Sequence, residues 1–225
     1  MTMTPTEAIY RRTSIRAYKP DPLPQALVRD ILDAARWAPS GGNVQPWKVI
    51  AVAGDERQAV IDILKGVMQS NPRGEFGDRP VYPDNLWEPH KSWRFKVGED
   101  MYGLIGIPRE DKFARMAWFS RNAEFFGAPV GLFFIIDRRM GHGQWAHMGM
   151  FMQSVALAAI ERGVSSCMQE YWALARDSLK AHFQLPETEM VYCGMALGYA
   201  GEDSPVNKLR TDRAAVEEFT SFRGF

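Results

Sequence analysis

The sequence has few cysteines and no long hydrophobic run. Only two of its 225 residues are cysteines, Cys167 and Cys193, and each lies within an apolar segment. Two distant cysteines do not form the disulfide framework of a small secreted protein, so we expect reduced thiols and a cytoplasmic location. The longest apolar stretch, 128–136, is far shorter than the roughly 20 residues of a membrane-spanning helix. The first residues also lack the apolar run of a signal peptide.

An excess of charge of one sign is missing too. The chain has 27 basic and 27 acidic residues, so its formal net charge is zero. A protein without a net positive field does not attract nucleic acid or an anionic membrane as a whole, and no recognition motif for nucleic acid is present. The hydrophobic fraction of 46% is nevertheless that of a folded protein. Any basic site must therefore be a local cluster.

The common signatures of side-chain catalysis are absent as well. The four histidines, His90, His142, His147 and His182, do not have the spacing of metal ligands, and we expect no metal site. We find no G-x-S-x-G elbow, no P-loop and no G-x-G-x-x-G fingerprint after a strand. No side chain is therefore predicted to act as a catalytic nucleophile. Demanding chemistry would have to come from a cofactor.

Local signals place the first three helices. Residues 4–7, Thr-Pro-Thr-Glu, form a capping box with proline at the first helical position, so a helix is predicted to run from there to about Arg12. A stripe of five apolar residues over 27–35 predicts a second helix, which should end before Pro39. Asp55 is predicted to cap a third helix.

The rest of the pattern combines long helices with short strands. Residues 144–162 are apolar around most of the helix circumference, which indicates a helix buried on most sides or at a subunit interface. We predict further helices near 94–105, 110–126 and 176–183, and strands at 47–52, 129–137, 164–168 and 190–198. Strands interspersed among longer helices favour an α+β sandwich around one sheet, in a single domain over 1–225.

The regular pattern disappears between Asn71 and about Trp93. Four prolines and four aromatic residues fall in this stretch. Long irregular loops within a compact domain are often binding loops or lids, but a surface excursion held by its own aromatic side chains fits equally well. We therefore describe 68–115 as a lid-like excursion that is partly irregular and partly helical, and the polar, then aromatic, segment 207–225 as a C-terminal arm.

Three polar clusters are candidates for a binding site. The first is Arg11, Arg12, Ser14 and Arg16, whose guanidinium and hydroxyl groups suit a phosphate, although a solvated basic turn has the same composition. The second is the loop 39–47, in which two adjacent glycines permit close approach of a planar ligand. The third is the basic segment 207–213, which by itself is typical of a solvated face.

Taken together and in this order, these clusters resemble the FMN-dependent nitroreductase family. The motifs that carry the resemblance are Arg12-Thr13-Ser14-Ile15-Arg16, Pro39-Ser40-Gly41-Gly42-Asn43-Val44-Gln45-Pro46-Trp47, Met168-Gln169-Glu170-Tyr171-Trp172, Gly194-Met195-Ala196-Leu197-Gly198-Tyr199 and Lys208-Leu209-Arg210. The resemblance covers nearly the whole chain. Two departures are Thr13, inserted between the paired arginines and the serine, and Tyr171, which stands where a small residue is frequent.

The resemblance implies a nitroreductase-like fold, with helices around a central, mostly antiparallel sheet, and a homodimer with a long buried interface helix. It implies two FMN molecules bound where the subunits meet. By the same resemblance, the phosphate and pyrimidine side of FMN contacts Arg12, Ser14 and Arg16, and the phosphate also contacts Lys208 and Arg210. The flavin of the other subunit is contacted by Pro39, Ser40, Gly41 and Asn43. The reactive N5 edge faces backbone groups of Gln169 and Glu170.

The same resemblance implies a reaction. NAD(P)H passes a hydride to flavin N5 and leaves, and a small aromatic acceptor such as a nitroaromatic then takes two electrons in the same place. The kinetics should be ping-pong, and no protein nucleophile is needed. A reductive dehalogenase or an ene-type reductase of the same superfamily is an alternative, and so is a flavin-binding protein without enzymatic activity.

Overall fold

The computed structural model of the protein describes residues 3–75 and 81–225. Four strands are interspersed among a larger number of helices along the described chain. The helices are α1 (Pro5–Arg11), α2 (Gln25–Ala35), α3 (Gly54–Ser70), α4 (His90–Leu104), α5 (Lys112–Ser120), α6 (His142–Glu161), α7 (Arg176–His182) and α8 (Val216–Phe219). The strands are β1 (Lys48–Ala53), β2 (Val130–Asp137), β3 (Ser165–Gln169) and β4 (Glu189–Gly198).

The four strands form one antiparallel sheet in the order β1-β2-β4-β3. Strands β2 and β4 are central, and nearly every residue of both is buried, so they form continuous apolar runs rather than alternating ones. A register shift between Phe134 and Ile135 leaves Tyr192 as the extra residue of a β-bulge in β4. The predicted α+β class with a mostly antiparallel sheet is confirmed.

Helices cover both faces of this sheet, and each face has its own hydrophobic core. On one face, α2 and α6 pack against side chains such as Leu132, Phe134 and Met195. On the other face, α3 and α7 pack with the 3₁₀ segments 121–127 and 170–175 around Phe133 and Trp172. The sheet is thus enclosed between two helical layers, and its edges and strand ends are left to carry polar groups.

The predicted boundaries hold at some helices and fail at others. The Thr4 side chain accepts the Glu7 N–H at 3.2 Å and Glu7 in turn accepts the Thr4 N–H, so the capping box is confirmed. The prediction that Asp55 caps α3 is wrong, because Ala53 occupies the cap position and Asp55 lies in the first turn. There its carboxylate still interacts favourably with the helix dipole.

The helix predicted over 110–126 is shorter than expected. Helix α5 ends at Ser120, and a 3₁₀ segment follows in which Phe125 and Phe126 have φ values of 52° and 54°. Burial of both rings in the core offsets the energetic cost of this left-handed backbone. Apolar periodicity in the sequence does not predict such a conformation.

The excursion predicted to start at residue 68 is partly helical. Helix α3 continues to Ser70, and α4 begins at His90 rather than near 94. The first residues of α4 therefore lie in the stretch predicted to be irregular. Phe76, Arg79 and Pro80, which belong to that prediction, lie outside the described residues. Neither α4 nor α5 contains a buried residue, so the excursion is attached to the surface of this chain.

Helix α6 is the longest described helix, with 20 residues. From Met148 onward it packs into the core through residues such as Phe151 and Val155, whereas Gly149 and Met150 remain exposed. The sequence predicts that this helix is buried on most sides. Within a single chain, only its later turns are buried in this way.

Candidate functional site

The segment that follows α1 extends the sheet beyond β3. Ser14 forms a parallel bridge with Ser166, and the Ile15 N–H donates to the Ser166 carbonyl at 3.0 Å. The Ile15 side chain is buried, whereas Ser14 and Arg16 on either side of it are half-buried. Because side chains alternate along an extended segment, Ser14 and Arg16 project to the same side.

Asn207 joins this segment to the C-terminal part of the chain. Its Oδ1 accepts the N–H groups of Arg16 at 2.8 Å and Ala17 at 3.2 Å, and its Nδ2 donates to the carbonyls of Ala17 at 2.8 Å and Gly201 at 2.9 Å. Lys208 follows Asn207 directly, so the first and third basic clusters of the sequence are neighbours in the fold.

The cations brought together here are not neutralised. Within residues 3–75 and 81–225, the side chains of Arg12, Lys208 and Arg210 form no ion pair or hydrogen bond, and Arg16 donates only to the Ser14 carbonyl at 3.3 Å. Lys208 and Arg210 are exposed. Positive groups that gather without acidic partners indicate a site for an anion.

Arg213 adds a further cation that sequence reasoning did not assign to the site. Burial, and then the proximity of Arg213, lower the pKa of Arg12, so the two guanidinium groups repel each other. Arg213 donates to Thr211 and to the Asp212 carbonyl, which holds its head group in place. The sequence places Arg213 in the basic segment 207–213, but only the fold shows that it lies near Arg12.

The loop 39–45 presents a surface shaped by backbone conformation. Gly42, Asn43 and Gln45 have φ values of 59°, 53° and 50°, a left-handed conformation that costs non-glycine residues energy. Ser40 Oγ accepts the Gln45 N–H at 3.0 Å and thereby closes the turn. Pro39, Gly41 and Asn43 are exposed, so the loop faces away from the core of its own chain.

The end of β3 places the next candidate residues. The Gln169 side chain is buried and is held from both sides, since its Nε2 donates to the Asn122 carbonyl at 2.9 Å and its Oε1 accepts from Trp172 Nε1 at 3.4 Å. The Gln169 side chain is thus structural, which leaves only backbone groups for a ligand. Burial raises the pKa of the neighbouring Glu170 carboxyl.

Aromatic side chains surround this point. The Tyr171 ring contacts Phe119 edge to face, with 5.1 Å between ring centroids, and Phe119 is half exposed. A cavity of about 300 Å³ opens beside Glu170 and is lined in part by Trp145 and by Tyr192 of the β-bulge. Tyr171, identified as a departure from the family pattern, therefore belongs to an aromatic wall next to the predicted N5 segment.

The structure brings some predicted site residues together and keeps others apart. The cluster of Arg12, Ser14 and Arg16 adjoins β3, the strand that ends at Gln169, and it also adjoins Lys208. Within the described parts of the chain, no hydrogen bond or ion pair joins the loop 39–45 to that cluster, because the loop bonds instead to α6. One chain by itself therefore presents the loop and the cluster as two polar surfaces that no hydrogen bond or ion pair joins within the described residues.

The sequence comparisons show to which family the chain belongs. The chain matches the sequence model of the Nitroreductase family over residues 9–199. The chain belongs to the nitroreductase family. This nitroreductase-family chain is 37% identical to the 4-nitrobenzoate reductase of Pseudomonas putida over 216 residues, which cover 95% of this chain and 93% of that protein. It is 34% identical to the nitrobenzene nitroreductase of Ectopseudomonas oleovorans, with coverage of 96% and 95%.

Solved structures of nitroreductases resemble the whole fold. The FMN- and NADPH-dependent nitroreductase NfnB from sphigopyxis sp. strain HMH superimposes with a TM-score of 0.95 at 40% identity, covering 99% of this chain and 100% of that one. The FMN-dependent nitroreductase NfnB from Mycobacterium smegmatis, solved in complex with NADPH, superimposes with a TM-score of 0.90 at 27% identity and 97% coverage of both chains. Among the described residues of this family member, no helix has the length and apolarity to cross a membrane.

Proposed function

We propose that this chain is an FMN-dependent oxidoreductase that uses NAD(P)H to reduce small aromatic acceptors such as nitroaromatics. The observation that carries the proposal is the set of unneutralised cations contributed by both ends of the chain. Arg12, Arg16, Lys208 and Arg210 hold the FMN phosphate, since arginine forks match phosphate oxygens in a bidentate manner. Ser14 adds a hydroxyl to the same group.

Known relatives support both the cofactor and the substrate class. The similar NfnB from sphigopyxis sp. strain HMH is described as FMN- and NADPH-dependent, and the similar proteins from Pseudomonas putida and Ectopseudomonas oleovorans are a 4-nitrobenzoate reductase and a nitrobenzene nitroreductase. These three proteins are 34–40% identical to this chain over nearly its full length. It favours a nitroaromatic acceptor over the halogenated or enone acceptors of other flavoenzymes.

We further propose that the active form is a homodimer and that the loop 39–45 contacts the flavin held by the partner. Pro39, Ser40, Gly41 and Asn43 are the contacting residues in this arrangement. The separation of loop and cation cluster within one chain supports it, because two copies would supply both surfaces to each flavin. The exposed faces of α4 and α6 and the arm 207–225 are then covered by the partner subunit.

Each part of the chain then has a distinct task. When bound, FMN supplies hydride transfer through its N5 position. Backbone groups of Gln169 and Glu170 face that edge of the ring, and the buried bonds of the Gln169 side chain fix their position. Fixed dipoles of this kind stabilise developing charge without reorganisation. The aromatic wall of Phe119 and Tyr171 excludes water and orients a planar acceptor.

A spectroscopic experiment tests this proposal directly. The purified protein, reconstituted with FMN, should show flavin absorbance, lose it on anaerobic addition of NADH or NADPH, and regain it on addition of 4-nitrobenzoate or nitrobenzene. Failure to bind FMN would refute the proposal. Bleaching without reoxidation by a nitroarene, but with reoxidation by a haloarene or an enone, would favour the reductive dehalogenase or ene-type reductase instead. A flavin that stays oxidised would indicate a binding protein.

The location of the protein is part of the same proposal. Cys167 and Cys193 are both buried and unpaired, and burial raises the pKa of both thiols. Unpaired thiols of this kind, together with a reaction that consumes NAD(P)H, support a cytoplasmic enzyme.

A further inference from the structure

We propose that His147 is a positioning residue that holds the flavin-facing loop 39–45 through its ring nitrogen Nδ1. The inference rests on the proposed function, because it assumes that this loop contacts FMN. It concerns a histidine to which neither the sequence motifs nor the cation cluster assign a task.

Most hydrogen bonds of the loop are internal. The Asn43 N–H donates to the Ser40 carbonyl at 2.9 Å, the Val44 N–H to the Gly41 carbonyl at 3.3 Å, and the Gln45 N–H to Ser40 Oγ at 3.0 Å. Within the described chain, one hydrogen bond leaves the loop, from the Gly41 N–H to His147 Nδ1 on α6 at 3.4 Å. This bond joins the loop itself to α6, beside the stacking of Trp47 on Phe151 of the same helix, in which the ring centroids are 4.7 Å apart.

The shape of the contact explains why residue 41 is a glycine. A Cβ atom at this position would lie 3.1 Å from Cε1 of the His147 ring, which is tighter than most real Cβ contacts. The ring edge thus packs directly against the Gly41 backbone and sets the height of the loop above α6. Ser40 and Asn43, which are proposed to contact the flavin, lie on either side of this anchor.

A second polar group competes for the same nitrogen. His147 Nδ1 also lies 3.2 Å from Oε1 of Gln144, one turn earlier on α6. A single ring nitrogen cannot accept the Gly41 N–H and donate a proton to Gln144 at the same time. The Nε2–H tautomer leaves Nδ1 as an acceptor and secures the loop, whereas a proton on Nδ1 directs the ring to Gln144 and releases Gly41.

The anchor matters for binding because a loop held in place before the ligand arrives loses less conformational freedom on binding. A typical net hydrogen bond corresponds to roughly a threefold to tenfold change in an equilibrium constant. We therefore expect His147 to affect FMN affinity to that extent without touching the flavin. Its effect should depend on acceptor chemistry at the δ position rather than on ring shape.

Asparagine and leucine provide a matched pair for the test, because both branch at Cγ and only asparagine offers an acceptor near the place of Nδ1. FMN dissociation constants are measured by fluorescence titration of the flavin-free protein, with thermal midpoints as the folding control. H147L should weaken FMN binding by roughly threefold to tenfold, and H147N should stay within about twofold of wild type. Q144M removes the competitor, so its binding should equal or exceed that of wild type.

Hydrogen exchange of the Gly41 amide, measured by NMR without FMN, gives an independent readout of the anchor. Exchange should be faster in H147L than in wild type and H147N. Wild-type affinity in H147L would overturn the inference, and so would equal weakening in H147L and H147N. H147F, which keeps a ring without an acceptor, replaces H147L if that variant does not fold. Absence of FMN binding by the wild-type protein would refute the proposed function, while the exchange data would still decide whether His147 anchors the loop.

Discussion

Asn207 follows Arg16 by 191 positions, yet its Oδ1 accepts the Arg16 N–H at 2.8 Å. The same side-chain amide forms three more hydrogen bonds, which link the segment after α1 to Gly201 and to the start of the basic C-terminal element. A planar amide has donors on one side and an acceptor on the other, so it can join two backbone segments in a fixed register. This clamp assembles the cationic surface.

Removal of the clamp should weaken both the fold and cofactor binding. We expect Asn207→Ala to lower the free energy of unfolding by about 2 kcal/mol, because several partly buried hydrogen bonds are lost together. FMN affinity should fall more than tenfold, since the two cationic segments are then free to separate. Asn207→Asp is the matched control. It can still accept from Arg16 and Ala17, but its second carboxylate oxygen faces the Ala17 and Gly201 carbonyls, which repel it, so denaturant titration should show that it does not restore the wild-type stability.

The guanidinium of Arg12 should account for a large part of FMN affinity. Arg12→Ala removes a half-buried cation that already experiences repulsion from Arg213, and a charge-assisted hydrogen bond contributes about 1.5–3 kcal/mol. We expect a tenfold to hundredfold weakening of FMN binding. Arg29→Ala, at an exposed position on α2, should leave the affinity within about twofold. Equal affinities for the two variants would contradict the phosphate role.

The stability of the flavin-free protein should respond to pH at Glu170. Burial raises the pKa of this carboxyl in the fold, so the folded chain holds its proton at a higher pH than the unfolded chain. The stability that depends on this proton is present below the unfolded pKa of about 4.3 and is lost as pH rises through the folded value. Glu170→Gln should therefore raise the thermal midpoint at pH 7, and the gain should disappear below about pH 4. The gain is small, because the carboxyl is partly exposed.

Asp137 should show the opposite behaviour. Hydrogen bonds from Arg139 lower the pKa of Asp137 to about 2, so its contribution to stability is present above the unfolded pKa of 3.8 and is lost as pH falls toward 2. Asp137→Asn should lower the thermal midpoint at pH 7, and the difference from wild type should shrink below about pH 4. If Glu170→Gln and Asp137→Asn changed the thermal midpoint at pH 7 in the same direction, these carboxyls would not set the pH dependence of stability.

Gly194 should tolerate no side chain. A Cβ atom there would lie 2.3 Å from Cδ1 of Trp172, which is fully buried and whose Nε1 donates to Gln169. Gly194→Ala should cost about 1–3 kcal/mol of unfolding free energy and should slow flavin reduction, because the displaced ring shifts the end of β3. Gly66→Ala is the matched control. Its Cβ meets nothing within 4 Å in helix α3, so this variant should be more stable by up to about 1 kcal/mol.

Much of the secondary structure follows from local patterns. The capping box at Thr4, the apolar stripe of α2 and the apolar runs of β2 and β4 gave boundaries within a few residues, because short-range sterics and burial decide them. The prediction failed at Asp55, where the helix begins earlier than expected, and around Phe125, where burial in the tertiary structure outweighs local preference.

The sequence by itself determined the α+β class, the absence of a net charge and the three polar motifs in their family order. Only the tertiary structure decided that Asn207 bonds to Arg16, that Arg213 lies near Arg12 and that Gly41 rests on His147. The physical reason is the distance along the sequence over which each interaction acts. Helix caps and strand patterns depend on neighbours a few residues apart, whereas these contacts join segments separated by about 100 to 200 positions, whose proximity depends on how the two helical layers pack against the sheet.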